Sequence, residues 1–220
     1  MVCTYRKNED ADKSVSSSFR VRDFACKCGR CQIVKYDDRL GAYLELIGEH
    51  FGVTPKINSG YRCSEHNAEV GGTKTSHHMR GMAADIRVPD VSPKEVALYA
   101  ERIGIQRIGL YDNFVHIGSD EKKRFWLGHQ GTNVETFAVS KSIELEIPVL
   151  KKGAKSGTVK ALQALLIGYG FSCGEKAVDG SFGSDTEKAV KRYQQAHGLE
   201  PDGSVGRKTW TDLLGLREEK

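Results

Sequence analysis

A segment near the C-terminus is duplicated, and the duplication restricts that region to paired turn-and-helix units. Val178-Asp-Gly-Ser-Phe-Gly-Ser-Asp-Thr186 and Pro201-Asp-Gly-Ser-Val-Gly-Arg-Lys-Thr209 share D-G-S-x-G-x-x-T at an offset of 23 residues. Chance seldom keeps five positions in register. Each copy reads as a glycine-rich turn feeding a helix, and Ser184 with Glu187 has the spacing of a capping box ahead of Ala189, Val190 and Tyr193. A preceding helix with Val159, Leu162 and Leu166 on one face completes a three-helix unit.

The rest of the chain is written differently. Leu40, Leu44, Ile47 and Phe51 recur at helical spacing before Gly52, which predicts a helix over Asp38 to Phe51. Ser92, Pro93 and Glu95 form a capping box with proline at the first helical position, and Val96, Tyr99, Ala100 and Ile103 supply the buried stripe that ends at Gly104. Short strands are expected at Lys56 to Asn58, Ala83 to Val88, Arg107 to Tyr111 and Phe114 to Gly118, with Asp112 and Asn113 as a hairpin turn. The expected class is α+β: a small antiparallel-sheet domain at residues 18–127, then an all-α three-helix module at 149–216. Residues 1–17 read as a flexible arm and 128–148 as a linker.

Between Asn58 and Ile86 the chain is dense in polar, small and ligand-type residues. Asp85 lies in an otherwise apolar strand, where an isolated buried carboxylate is costly unless a cation or donors compensate it. His78 precedes it across a glycine-containing turn, and His116 lies in a later strand, so two imidazoles and one carboxylate can meet on one Zn2+. Three protein ligands leave a fourth tetrahedral position to water, the arrangement of a catalytic site. There zinc brings the water's pKa to about 7 and polarises a carbonyl, so amide hydrolysis is the expected reaction. On spacing alone the bland alternative stands, because His-x6-Asp is common and a strand histidine is more often structural.

The context carries a resemblance. Ser59-Gly-Tyr-Arg62, Asn67, Val70-Gly-Gly72, Ser76-x-His78-x-x-Gly81-x-Ala-Ala-Asp85 and Phe114-Val-His116 resemble the zinc D-alanyl-D-alanine carboxypeptidases, peptidase family M15, over about Phe19 to Trp126. The resemblance implies His78, Asp85 and His116 as zinc ligands, and Arg62 as the residue that binds and orients the substrate peptide, a task that suits a planar guanidinium. His77, at the variable position of the motif, reads as a neighbour. The family's general base has no clean counterpart: Asn113 and Phe114 stand where relatives carry Glu, Asp or His. Asp112 and Asp120 are the nearest carboxylates, neither aligning cleanly, and Asp112 is the candidate base, against the competing reading that hairpin turns favour Asp for backbone reasons. The C-terminal region, from Lys152-Gly153 through Thr209-Trp210, resembles the three-helix peptidoglycan-binding domains, in which most of these residues would maintain the fold.

Together these imply an endolysin-like, wall-anchored zinc metallopeptidase of peptidoglycan, cutting as a carboxypeptidase or an endopeptidase. The alternative is a non-catalytic, zinc-stabilised wall-binding protein. The first twenty residues are too polar for an export leader, so synthesis in the cytoplasm and action at the wall after release are expected. Neither membrane insertion nor nucleic-acid binding is expected, since the excess of bases behind the net charge of +4 is dispersed, and a monomer is expected. Cys26, Cys28 and Cys31 crowd into C-K-C-G-R-C and do not form a convincing disulfide framework. With a fourth ligand such as Cys63 they would suit a structural zinc, though paired C-x-x-C knuckles are absent; free or oxidisable thiols are the other reading.

Overall fold

The computed structural model describes residues 1–137 and 148–215; the middle of the expected linker, 138–147, and Leu216 lie outside the described residues. The class is α+β, a sheet domain followed by a helical one. β1 (Val2–Arg6) pairs antiparallel with β2 (Ile33–Asp37), and β2 leads directly into α1 (Asp38–Phe51). The main sheet is built from β3 (Lys56–Ser59), β4 (Ala83–Arg87), β5 (Arg107–Leu110), β6 (Val115–Gly118), β7 (Arg124–Leu127) and β8 (Thr132–Val134), in the order β3-β4-β6-β5-β7-β8. All its pairs are antiparallel except β5 with β7, so the sheet is mixed where an antiparallel one was expected. Two further helices, α2 (Ser64–Glu69) and α3 (Pro93–Arg102), complete this part.

Both helices expected here form. The Asp37 side chain accepts the Arg39 N–H to cap α1, and Gly52 closes it in the left-handed conformation. Ser92 Oγ accepts the Glu95 N–H while Glu95 accepts the Ser92 N–H, the reciprocal box read from the sequence.

The N-terminal segment is not a loose arm. β1 is tied to β2, and the serine run is recruited by Glu45, which α1 turns inward to 5% exposure. Ser16 Oγ donates to its carboxylate at 2.7 Å, the Ser18 N–H at 2.6 Å and Ser18 Oγ at 2.9 Å. A buried carboxylate needs donors, and a short polar stretch supplies them cheaply. The start of the expected linker is also ordered: β8 extends the sheet, and Phe137 is buried with its N–H donating to Glu101 at 2.8 Å.

The helical part comprises α4 (Gly157–Gly168), α5 (Ser184–Ala196) and α6 (Arg207–Leu213). Val159, Leu162 and Leu166 of α4 are fully buried, as is Trp210, whose indole N–H donates to the Pro148 carbonyl at 2.9 Å. The duplicated motif folds as two copies of one cage. Gln163 Nε2 donates to Asp179, the Ser181 carbonyl and Thr186, and its Oε1 accepts the Gly180 N–H. Gln194 does the same with Asp202, Ser204, Thr209 and Gly203. The expected capping box at Ser184 does not form: the helix is capped from Gly183, and Glu187 pairs with Lys152 and Lys191. α4 lies along α1 in the opposite sense, with Gly157 beside Glu45 and Glu49 and Gly168 beside Asp38.

Candidate metal centre

One row across the main sheet sets the site. Ser59 pairs with Asp85, Asp85 with His116, His116 with Gly109 and Gly109 with Trp126. Residues directly opposite one another share a face, so these side chains stand side by side. Gly109 matters by its size, since a Cβ there would lie 2.4 Å from the Trp126 ring; its absence lets the indole lie across β5 toward His116, ring centres 5.1 Å apart.

His78 enters from the 3-10 turn His77–Arg80 that precedes β4. That turn closes on Gly81, which has φ of +74° and backs against the Lys35 backbone at a distance no Cβ would tolerate. His78 Nδ1 faces the Gly60 carbonyl at 2.7 Å; a carbonyl only accepts, so Nδ1 carries the proton and Nε2 keeps its lone pair. Nε2 lies 3.2 Å from His116 Nδ1 and 3.3 Å from Asp85 Oδ1, and His116 Nδ1 lies 2.8 Å from Asp85 Oδ1. A tetrahedron with bonds of about 2.0–2.1 Å has edges of about 3.3 Å, so the donor set and spacing fit a zinc ion.

The electrostatics agree. Burial pushes His116 down to about 4 against the pull of Asp85, which keeps the imidazole neutral and able to ligate. Burial alone would raise Asp85, but the neighbouring imidazoles of His116 and His78 outweigh it and hold it well below the usual carboxylate range. Its other oxygen, Oδ2, accepts from Arg62 Nη2 at 2.5 Å, and Arg62 Nε donates to Ser59 Oγ at 2.8 Å. Arg62 therefore props Asp85 as well as lining the cleft.

The cleft around these groups has a volume of about 490 Å³. One wall is aromatic and cationic: the Trp126 N–H donates to Tyr111 Oη at 3.1 Å, and the Arg107 and Arg124 guanidiniums sit 5.9 and 5.4 Å from the Trp126 ring. His129 packs edge-on against Tyr111. Sequence reasoning missed this wall; its available signal was Trp126, one of only two tryptophans in the chain.

Asp112 is not brought to the centre. It is exposed at the tip of the β5–β6 turn, where the Tyr111 N–H closes onto the Phe114 carbonyl at 3.1 Å, and it lines neighbouring depressions instead of this cleft. The turn reading of Asp112 is the one the structure bears out. His77 turns its Nε2 away to Asp120 at 2.5 Å, and Arg107 pairs with the same oxygen at 3.3 Å. Among the described residues, Asp85 is the sole carboxylate lining the cleft.

Comparison with known proteins places both parts of the chain beside cell-wall proteins. The Peptidase M15 family model matches residues 17–118, and a peptidoglycan binding domain model matches residues 155–213. An N-acetylmuramoyl-L-alanine amidase, CwlL, of Bacillus licheniformis is 37% identical over 94 residues, 43% of this chain and 26% of that protein. A zinc D-Ala-D-Ala carboxypeptidase of Streptomyces albus G is 36% identical over 70 residues, 32% of this chain and 28% of that protein. The chain thus spans about a quarter of the length of these relatives. Among solved structures, a Burkholderia AP3 phage endolysin is 38% identical, covering 32% of this chain and 27% of that one, at a TM-score of 0.30. The chain thus carries a region that matches the Peptidase M15 family, residues 17–118, followed by one that matches the peptidoglycan-binding domains, residues 155–213.

Proposed function

We propose that the protein is a zinc-dependent hydrolase of peptide bonds in peptidoglycan stem peptides or cross-bridges. Residues 18–127 would do the chemistry and 149–216 would hold the chain on the wall, where it acts after release. The observation that carries the reading is the convergence of His78 Nε2, Asp85 Oδ1 and His116 Nδ1 within 3.3 Å of one another in a cleft lined by Arg62.

When bound, zinc supplies a Lewis acid and an activated water. The protein's part is to place and charge the surroundings. The Gly60 carbonyl fixes the His78 tautomer, and Arg62 orients Asp85. Arg62, Arg107 and Arg124 give the cleft a positive field suited to a peptide carboxylate or to the charge that develops on a carbonyl under attack. Trp126 and Tyr111 offer a flat apolar wall for the peptide backbone. Wall binding through the second domain would raise the local concentration of substrate without adding a catalytic contact.

A second reading is a zinc-stabilised wall-binding protein without catalysis, and one observation favours it: the cleft's sole carboxylate among the described residues is already committed as a ligand. One experiment separates the two. Purified protein is incubated with sacculi, with and without chelator and zinc add-back, beside His116→Ala, and released peptides and new termini are identified by mass spectrometry. Cleavage that chelator abolishes, zinc restores and His116→Ala lowers by about a hundredfold or more supports the peptidase. Binding without cleavage on walls of several chemotypes leaves the second reading. The new termini distinguish carboxypeptidase from endopeptidase action.

A further inference from the structure

Away from the cleft floor, four of the six cysteines meet. Cys26 and Cys63 are buried, and Cys28 and Cys31 are half-buried. All four Sγ atoms lie within 4.8 Å of one another, with Cys26–Cys63 at 3.9 Å, Cys28–Cys63 at 3.7 Å and Cys28–Cys31 at 3.5 Å. Zinc–thiolate bonds of about 2.3 Å give a tetrahedral edge of about 3.8 Å, which these separations bracket. We propose that Cys26, Cys28, Cys31 and Cys63 hold a second, structural zinc ion, closed on all four sides by thiolates.

The local backbone is built for this. Cys28-Gly-Arg-Cys31 turns through Gly29, whose φ of +72° favours glycine, and the turn aims two N–H groups at one sulfur. Cys28 Sγ accepts from Arg30 at 3.3 Å and from Cys31 at 3.4 Å, which favours the thiolate. Four thiols gathered this closely suit a soft divalent cation, whose binding displaces their protons. A four-thiolate zinc carries a net charge of −2, and Lys27 and Arg30 flank the thiolates in the chain while Lys7 Nζ reaches the Cys26 carbonyl at 3.2 Å.

The ion has work to do. Residues 25–32 form neither strand nor helix, and Cys63 stands at the start of the six-residue α2, immediately after Arg62. Besides the thiols, the Arg30 guanidinium pairs with Glu69 of α2, and just outside both segments the Tyr61 N–H donates to the Phe24 carbonyl at 2.8 Å. A tetrahedral clamp would fix the base of the loop that delivers Arg62 to Asp85. Cys3 and Cys173 lie outside the cluster and serve as internal controls.

The test is metal content and cobalt spectroscopy on the full chain. Wild type is expected to hold two zinc ions per chain, and a His78→Ala/His116→Ala variant one. After exchange into cobalt, that double variant should keep an intense sulfur-to-cobalt charge-transfer band, which Cys28→Ser/Cys31→Ser lacks and Cys3→Ser/Cys173→Ser retains. Without denaturant, the four clustered thiols should resist a thiol reagent until chelator is added. No residual metal in the histidine variant, free reaction of the four thiols without chelator, disulfides among them by mass spectrometry, or iron in place of zinc would each overturn the assignment. If the cysteine variant fails to fold, the histidine variant's metal content and cobalt band decide alone. Loss of the histidine-bound ion and loss of this one read out separately.

Discussion

Asp85 divides its two oxygens between tasks, Oδ1 toward the imidazoles and Oδ2 toward Arg62, which is itself anchored on Ser59. A lysine in place of Arg62 offers one ammonium and cannot span both partners. Arg62→Lys is therefore expected to weaken zinc binding by about 10–100-fold, measured by competition with a chromophoric chelator, with kcat/KM falling at least as far. Unchanged affinity would mean that Arg62 serves substrate alone. At this scale the sequence was informative where chemistry forces residue type: a carboxylate inside an apolar strand has few excuses, and His78, Asp85 and His116 do converge. It was misleading at Asp112, because the turn that exposes an aspartate and a base that needs one place the same letter in the same position. The fourth thiol of the cysteine cluster lies 32 residues beyond Cys31, outside any local pattern, yet Cys63 is the fourth member the sequence reading offers, and it does join the other three.

Between elements, the site depends on register. Gly109 sits between His116 and Trp126 in the row that crosses the sheet, so Gly109→Ala should push the indole off β5. Cleavage is expected to fall by about tenfold or more with zinc content unchanged, since Asp85 and His116 lie on other strands and His78 on the turn before β4. β7, which brings Trp126, pairs parallel to β5 after a connection too short to show a period, and a four-residue strand leaves little trace in sequence. α1 was legible to the residue because its stripe, cap and terminal glycine agree. At its first residue, burial raises Asp38 to about 6 from 3.8, the N-terminal amine opposing, and so outweighs the helix-terminus effect of about 0.3–1 kcal/mol. The folded state then holds more protons than the unfolded between 3.8 and 6, and stability declines as pH rises through that window. Asp38→Asn should stabilise the protein by about 1–2 kcal/mol at pH 7, with the advantage gone near pH 4, as followed by denaturation at both values. In the duplicated motif the shared aspartate, serine and threonine were visible, but their purpose was not, because the glutamines that knit them lie 16 residues before Asp179 in one copy and 8 before Asp202 in the other. Gln194→Ala strips a 1%-exposed cage of its centre and should cost about 2–4 kcal/mol by chemical denaturation.

The two domains meet through a helix pair as well as through the chain that joins them. α4 packs antiparallel on α1, glycines at both ends of α4 allow close approach, and the Glu49 carboxylate accepts the Thr158 N–H at 2.8 Å, so the sheet domain caps a helix of the helical domain. Nothing in either stripe announced this, since an apolar face seen in sequence does not say which partner covers it. The arrangement bears on the proposed activity, because a docked module presents the cleft to the wall at a set angle, whereas a tethered one lets it search. Docking also couples stability: burying the α1–α4 face makes unfolding of one domain unfavourable while the other stands. Calorimetry of the zinc-loaded full chain is therefore expected to give a single cooperative transition. Glu49→Ala, which removes an exposed residue but also the cap of α4, should lower the transition by the equivalent of about 1 kcal/mol and begin to separate the helical domain from the sheet domain. Two resolved transitions in the wild type would show that the domains unfold independently, and would return the anchoring to the linker alone.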